Sequence, residues 1–224
     1  MIEAVFFDVD QTLLDTPTTA RAALQALFDD ELDATALVAW DAISDTQFAR
    51  FDARELDFPT MLVARMAEFL ALRGEPHDDA TAAALERRRN EFFVENIAVF
   101  DDALPALQLV RDRGLRLGVI SNSEPKHQAR KLAAAGLADA FDSVIISGAV
   151  GVAKPDPAIF THACSALGVA PAAALHVGDR LDTDALGAQG AGLLGVWLDR
   201  LGVAGGERRV PVVPSLADLD ALVT

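Results

Sequence analysis

Short apolar runs that stop at a polar side chain are the feature of this sequence that most limits its fold. The first run, Ala4–Phe7, stops at Asp8, and the second, at 115–120, stops at Ser121. Unbroken apolar runs of about four to eight residues are typical of strands that are covered on both faces. We therefore expect buried strands whose carboxyl ends carry polar, chemically capable groups.

Two more runs repeat this arrangement further along the chain. Ser143–Ile146 is followed within a few residues by Lys154, and the run at 175–177 is followed by Asp179. The last predicted elements are strands at Leu194–Leu198 and Val212–Val213 and a closing helix at 215–223.

Helical patterns separate the predicted strands. The segments 103–113 and 126–135 each end before a glycine, and Asp156 with Pro157 predicts the start of a helix that ends before Gly168. Strands that alternate with helices predict an α/β fold, with a three-layer Rossmann-like core built on a mainly parallel sheet. Because ligands bind beyond the carboxyl ends of the strands in such sheets, the polar groups are expected to converge there.

The segment 16–98 interrupts this alternation and is far longer than a loop in a compact domain. Helical apolar periodicity recurs within it at 21–28, 59–72 and 81–93. We therefore predict a helical cap domain at 16–98, inserted after the first strand of a core domain made of 1–15 and 99–224. The three consecutive arginines Arg87 to Arg89 are interpreted as a solvated helix face rather than a phosphate clamp.

The chain is strongly acidic, with 34 Asp and Glu against 19 Lys and Arg and a net charge of −15. Such a surface repels the phosphate backbone, which argues against binding of a nucleic-acid polymer. No apolar run is long enough to span a membrane, and the single cysteine, Cys164, excludes an intrachain disulfide. Since the N-terminus also lacks a basic leader, we expect a cytoplasmic protein without membrane contacts.

Asp8 and Asp10 lie two positions apart where the first strand ends, so both carboxylates can point to the same side. Thr12 follows after two more positions. Alone, this spacing is weak evidence, since glycosyltransferases and calcium-binding loops also use Asp-x-Asp. It gains weight from the polar groups that end the other predicted strands.

Four segments resemble the motifs of the haloacid dehalogenase superfamily, in that family's order. They are residues 8–13 (DVDQTL), 119–123 (VISNS), 154–160 (KPDPAIF) and 178–184 (GDRLDTD). The resemblance covers the chain from Ile2 to about Leu198, and the insert falls where the helical-cap phosphatase branch, which includes phosphoglycolate phosphatases and nucleotidases, places its cap. Two positions depart from the pattern: Gln11, where glycine is common, and Arg180, where serine is usual.

The resemblance implies a Mg²⁺-dependent phosphomonoester hydrolase that works through an aspartyl-phosphate intermediate. Asp8 would be the nucleophile and Asp10 the general acid and base. The implied phosphate-binding residues are Ser121, Asn122 and Lys154, with the backbone N–H of Ser123; the implied magnesium ligands are Asp8, the carbonyl of Asp10, and Asp179; the supporting residues are Thr12 and Asp184. Asp182 is interpreted as a helix cap, and His176, inside a predicted strand, as structural.

Asp10 distinguishes the reactions that this resemblance allows. The dehalogenases lack an acid at this position, because a halide leaving group needs no proton, so Asp10 favours phosphoryl chemistry. A phosphosugar mutase of the β-phosphoglucomutase type stays open, and so does a non-catalytic binding or regulatory protein on the same scaffold.

The predicted substrate is a small phosphorylated metabolite, such as phosphoglycolate, a sugar phosphate or a nucleoside monophosphate, bound by a monomer or a homodimer. Selectivity is expected from the cap, where the sequence does not choose among Phe48, Arg50, Phe51, Arg54 and Phe58.

Overall fold

A six-stranded sheet whose strands all run parallel lies at the centre of one of the two units into which the chain divides. The computed structural model describes residues 1–28, 32–75, 77–207 and 209–223. The sheet-containing unit comprises Met1–Thr16 and Ile97–Thr224, and the helical unit comprises Pro17–Asn96. The predicted roles of these units as core and cap stay predictions.

The strands of the sheet occur where the apolar runs predict them. They are β1 (Ala4–Phe7), β2 (Arg116–Ser121), β3 (Ser143–Ile146), β4 (Ala174–Gly178), β5 (Leu194–Leu198) and β6 (Val212–Val213). Their order across the sheet is β3-β2-β1-β4-β5-β6. Strand β1 is therefore hydrogen-bonded on both sides, by β2 and β4, and all of its residues are buried.

Helices connect the strands and form the second unit. The α-helices of the described residues are α1 (Thr16–Leu27), α2 (Ala34–Asp52), α3 (Phe58–Leu72), α4 (Asp79–Glu95), α5 (Ala103–Asp112), α6 (Pro125–Ala134), α7 (Ser147–Val150), α8 (Pro157–Leu167) and α9 (Leu186–Gly190). Asp156 caps α8 as predicted, by accepting a hydrogen bond from the N–H of Ala158, and Gly168 follows its end with a left-handed φ of 64°. None of the helices in the described part of the chain is long and apolar enough to cross a lipid bilayer.

Alternate residues of β1 point to opposite faces of the sheet and into two apolar clusters. Val5 and Phe7 pack in a cluster with residues of α5 and with Leu132 of α6. Ala4 and Phe6 pack in a second cluster with residues of α8 and α9. Helices thus cover both faces, which confirms the predicted α/β fold on a parallel sheet, with three layers.

The C-terminal segment contains a helix, as predicted. The prediction is a helix at 215–223, and Leu216–Ala221 forms a 3₁₀-helix. The carboxylate of Asp102 accepts hydrogen bonds from the hydroxyl of Ser215 and from the N–H of Leu216. This anchored start and the short length of the segment favour the tighter helix, which commonly occurs in such short pieces.

The sequence pattern does not predict helix α2 of the helical unit. Helix α2 spans 19 residues, but its alanines and other apolar residues lie all around it rather than along one side. The start of the helix is well marked in the structure, because the carboxylate of Asp33 accepts a hydrogen bond from the N–H of Ala36. Asp57 and Asp78 cap α3 and α4 in the same way.

The interior of the helical unit holds a buried group of charges beside aromatic rings. The rings of Trp40 and Phe69 meet edge to face, with centroids 5.4 Å apart. The carboxylate of Glu86 accepts hydrogen bonds from Arg65, at 2.5 Å, and from Arg89, at 2.7 Å, and all three side chains are buried. The interpretation of the whole arginine run as a solvated face is therefore wrong for Arg89. We call Arg65, Glu86, Arg89 and Trp40 the Glu86 cluster.

The five candidate selectivity residues of the helical unit differ in exposure. Phe58 is buried, Arg50 and Phe51 are half-buried, and Phe48 and Arg54 are exposed. The Phe51 and Phe58 rings pack edge to face at 5.5 Å. Their roles in selectivity stay predictions.

Candidate active site

Three predicted site residues lie together at one edge of the sheet because their strands are neighbours. Phe7 of β1 pairs with Val119 of β2 and with Val177 of β4, so the residues that follow these strands meet at the carboxyl edge. Asp8 follows β1 directly, and its N–H donates to the carbonyl of Val177 at 2.9 Å. Ser121 ends β2 and is buried, and Asp179 follows β4.

Lys154 is the charged centre of this edge. Its Nζ donates to Asp8 Oδ1 at 2.6 Å and to the carbonyl of Ile120 at 2.8 Å, and it lies 2.6 Å from Asp184 Oδ1. The lysine side chain is buried. A solvated loop lysine would show neither burial nor convergent partners, so this side chain belongs to the cluster of acids.

The side chain of Asn122 positions the backbone of Lys154. Its Nδ2 donates to the Lys154 carbonyl at 2.9 Å, and its Oδ1 accepts from the Lys154 N–H at 2.8 Å. The N–H of Ser123, which we expected to face an anion, donates instead to the hydroxyl of Ser147 at 3.1 Å. Helix α6 begins only at Pro125, so neither Asn122 nor Ser123 lies in its first turn.

Three carboxylates surround one space at the sheet edge. Oxygen atoms of Asp8, Asp179 and Asp184 all lie within 4.8 Å of one another, and we call these three residues the acid cluster. Gly178 makes this approach possible, because a Cβ at that position would collide with the carboxyl group of Asp184. Asp182, interpreted as a helix cap, is exposed and lies within the first turn of its helical segment, whose N-cap is Arg180. Asp184 is instead the acid that the π-helical turn Leu181–Ala185 delivers to the cluster.

The acids are unequal in their ionisation, and this follows from their surroundings. Burial raises the pKa of Asp8 to about 7, although Lys154 opposes the change, and burial raises the pKa of Asp179 to about 8. Burial acts in the same direction on Asp184, but the charge of Lys154 and the hydrogen bond from His176 hold its pKa well below the ordinary range. Asp184 and Asp8 in turn raise the pKa of Lys154, against the effect of burial.

The site therefore holds more carboxyl groups than one lysine can keep ionised. Three close carboxylates face one ammonium group, and two of the three resist ionisation. Carboxylate oxygens are the ligands that Mg²⁺ prefers in proteins, and a divalent cation would supply the missing positive charge. The residues present thus fit a magnesium ion.

His176 supports the acid cluster from inside the sheet. It is fully buried in β4, and its Nε2 lies 3.2 Å from Asp184 Oδ1. Burial lowers the pKa of His176, which keeps the ring neutral and able to donate one hydrogen bond to the carboxylate. The structural role expected for His176 thus includes a contact to the site that its position inside a strand did not reveal.

Asp10 lies outside the group of three carboxylates. Both of its carboxylate oxygens accept hydrogen bonds from Nζ of Lys131, at 2.5 and 2.7 Å. Lys131 is buried on α6 and belongs to none of the predicted motifs. The signal that could have found it is composition, since the chain contains only three lysines, and the two others are Lys126 and Lys154.

The loop after β1 explains one departure from the family pattern. Gln11, where glycine is common, has a φ of 61°, in the left-handed region that glycine adopts without steric cost. Thr12 is fully buried, and its carbonyl accepts a hydrogen bond from Arg200 at 2.9 Å. Among the described residues its hydroxyl has no hydrogen-bond partner. The loop therefore keeps the turn that the motif needs without the glycine.

Comparisons with known proteins agree with this arrangement. The family model described as haloacid dehalogenase-like hydrolase matches residues 2–192. A glyceraldehyde 3-phosphate phosphatase of Methanopyrus kandleri is 32% identical over 209 residues, which cover 89% of this chain and 85% of that protein. A phosphoserine phosphatase of Thermus thermophilus is 45% identical over 121 residues, but these cover only 54% of this chain and 46% of that protein.

A solved structure shares the fold over the whole chain. The structure described as that of a putative HAD-hydrolase from Bacillus subtilis bound to magnesium superposes with a TM-score of 0.83 at 22% identity, covering 100% of this chain and 99% of that one. At this identity the likeness concerns the fold alone.

Proposed function

Since the chain belongs to the haloacid dehalogenase-like hydrolases and is a phosphoric monoester hydrolase, we propose that it cleaves a small phosphorylated metabolite with Mg²⁺ and an aspartyl-phosphate intermediate. The observation that carries this proposal is the convergence of the buried Asp8, Lys154 and Asp184 with the half-buried Asp179 at the carboxyl edge of the sheet. It brings a nucleophile, a cation and a set of oxygen ligands to one place. Such a set matches what phosphoryl transfer requires, which is positioning and neutralisation of charge.

The magnesium ion would be held by Asp8, Asp179 and Asp184, with the Asp10 carbonyl as a further ligand that the resemblance implies. When bound, it would neutralise charge on the phosphoryl oxygens and on the acids around them. Ser121 and Lys154 would hold phosphoryl oxygens, the first by its hydroxyl and the second by its charge.

The proposed reaction has two steps, and Asp10 moves a proton in each. In the first, an Asp8 oxygen bonds to phosphorus while the bond to the leaving oxygen breaks, and Asp10 gives that oxygen a proton. In the second, water attacks the aspartyl-phosphate, its proton returns to Asp10, and the bond between phosphorus and Asp8 breaks. Inorganic phosphate is released, and the Asp8 carboxylate is regenerated.

The substrate is proposed only as a class. The names of the two relatives reported above point to three-carbon phosphates, so glyceraldehyde 3-phosphate and phosphoserine belong beside phosphoglycolate, sugar phosphates and nucleoside monophosphates in a first panel. We propose that the helical unit, Pro17–Asn96, acts as the cap and supplies selectivity.

The test is phosphate release from this panel and from p-nitrophenyl phosphate, with Mg²⁺ and with a chelator. We expect magnesium-dependent release by wild type and by Asp101→Asn, a matched change at an exposed position, and none by Asp8→Asn. A wild-type protein that releases no phosphate from any member would overturn the proposal. Interconversion of sugar phosphate isomers without phosphate release would identify a mutase instead.

A further inference from the structure

A buried lysine outside the four motifs is bound to the residue proposed as the general acid and base. Lys131 Nζ donates to Asp10 Oδ1 at 2.5 Å and to Oδ2 at 2.7 Å. The Lys131 side chain is 4% exposed, whereas that of Asp10 is 34% exposed. The structure thus buries the cation of this pair far more completely than the anion.

Stability alone is a poor explanation for this arrangement. Burial of an ammonium group costs free energy that a partner must offset, and a long lysine side chain also loses rotamer freedom. Ion pairs that are partly open to water contribute at most about 1 kcal/mol. A methionine or leucine at position 131 would fill the same space without these costs, so the charge itself needs another reason.

The element that carries Lys131 is well fixed. Helix α6 begins with Pro125 and is capped by Glu124, whose carboxylate accepts a hydrogen bond from the N–H of His127 at 2.7 Å. Leu132, the next residue after Lys131, packs in the apolar cluster that covers one face of the sheet. The ammonium group is therefore presented from a rigid helix to the loop that carries Asp10, which is how a reacting group is held in place.

We propose that Lys131 is a positioning residue that holds the Asp10 carboxylate in the orientation needed for proton transfer, an inference that rests on the proposed function. Contact with both oxygens holds the carboxylate in one orientation, in which it accepts the proton of water in the second step. In the first step Asp10 becomes a carboxylate again as it protonates the leaving oxygen. Lys131 is then placed to stabilise the charge that appears.

The dependence on the leaving group gives the sharpest test. An alkyl leaving group needs its proton in the transition state, whereas p-nitrophenolate leaves without one, so loss of Asp10 alignment should affect the alkyl substrate more. We expect Lys131→Met to lower kcat about 30-fold for an alkyl phosphomonoester such as glycerol phosphate, or for the best alkyl substrate of the panel, and about threefold for p-nitrophenyl phosphate, with little change in KM.

Two further variants separate positioning from a structural role. Lys131→Arg keeps a cation and should restore part of the alkyl-substrate rate. Lys126→Met makes the same substitution at an exposed position of α6 and should match wild type. Equal losses for both leaving groups, or no rescue by arginine, would mean that Lys131 only supports the fold.

A double mutant tests whether Lys131 acts through Asp10. In an Asp10→Asn background, adding Lys131→Met should change the residual kcat less than twofold, since the group to be positioned is gone. A loss as large as in wild type would overturn the proposal. If wild type hydrolyses no phosphomonoester, the proposed function fails; if it does, and Lys131→Met behaves like wild type, only this inference fails.

Discussion

Each unit of the protein buries a cluster of charges, and the two clusters are built in opposite ways. At the sheet edge, three carboxylates face the single ammonium group of Lys154. In the Glu86 cluster, two guanidinium groups share a single carboxylate and also lie over an aromatic ring, with Arg65 and Arg89 at 4.7 and 5.3 Å from the Trp40 centroid.

The pKa values show what this difference means. In the helical unit the pKa of Glu86 is lowered even though burial opposes the change, because Arg65 and Arg89 stabilise its charge. At the sheet edge burial raises the pKa of Asp8 and of Asp179. The Glu86 cluster thus stabilises its one anion within the unit itself, whereas the acid cluster keeps two carboxyl groups that burial makes hard to ionise. This difference fits the proposal that the acid cluster binds a cation.

Asp8→Asn should give the largest effect, on activity and not on stability. The change removes the proposed nucleophile, so kcat for p-nitrophenyl phosphate should fall about 10³-fold or more. It also removes one of the surplus negative charges, so the metal-free protein should be at least as stable as wild type at pH 8. Phosphate-release assays and thermal unfolding measure both. A clear loss of stability would mean that the acid cluster is as well balanced as the Glu86 cluster.

Glu86→Gln should instead reduce the stability of the protein. It leaves two buried arginines without an anion, and breaking a buried pair in this way typically costs about 3–5 kcal/mol. Urea unfolding followed by tryptophan fluorescence is a suitable measurement, because Trp40 lies within the cluster. Glu91→Gln, an exposed position on the same helix, is the matched control. Similar midpoints for the two variants would show that Glu86 does not stabilise the unit.

The metal-free protein should become more stable as pH falls from 8.5 to 6.5, because Asp8 and Asp179 take up protons in the folded state. A carboxyl group whose pKa is raised on folding binds a proton in the folded state, so stability increases as pH falls through its folded pKa. With pKa values of about 7 for Asp8 and about 8 for Asp179, we expect a gain of about 2 kcal/mol from pH 8.5 to 6.5, seen as a higher Tm in the presence of a chelator. Below about pH 6.5 the lowered pKa of His176 reduces stability, because the histidine then takes up a proton in the unfolded state but not in the folded state.

Asp179→Asn is the control for this pH effect. It should lose much of the increase between pH 8.5 and 6.5 and much of the rise in Tm that Mg²⁺ produces at pH 8.5. An unchanged slope in this variant would show that other groups cause the pH dependence.

Arg21→Met should give the smallest effect. Arg21 pairs with Asp41 on the surface of the helical unit, where both side chains are partly open to solvent. Exposed pairs contribute less than about 1 kcal/mol and are weakened by salt. Urea unfolding at low and high salt measures the difference, and a loss approaching that of Glu86→Gln would mean that burial does not separate these pairs.

The sheet and its acidic edge could be predicted because both depend on local sequence. An apolar run such as Ala4–Phe7 defines its own strand, and parallel strands bring their carboxyl ends to one edge wherever they occur in the chain. Asp8 and Asp179 could therefore be placed together without any knowledge of the intervening segments.

Contacts that depend on packing between distant helices could not be predicted. Lys131 and Asp10 are separated by 121 positions, and α6 gives no sign of which residue it will direct to the loop after β1. Arg89 lies in a run of three arginines, and only the packing of α3 against α4 and the contact with Trp40 of α2 distinguish the buried one from its exposed neighbours. Helix α2 itself has no apolar stripe for a pattern to detect.

The acid cluster depends on a side chain that is absent, at Gly178. The missing Cβ of Gly178 is the volume into which the Asp184 carboxyl group fits. A methyl group there would displace Asp184 from Lys154 while leaving every ionisable residue of the chain in place. Such a variant would keep all of its ionisable side chains, so a loss of activity could be explained only by the change at Gly178.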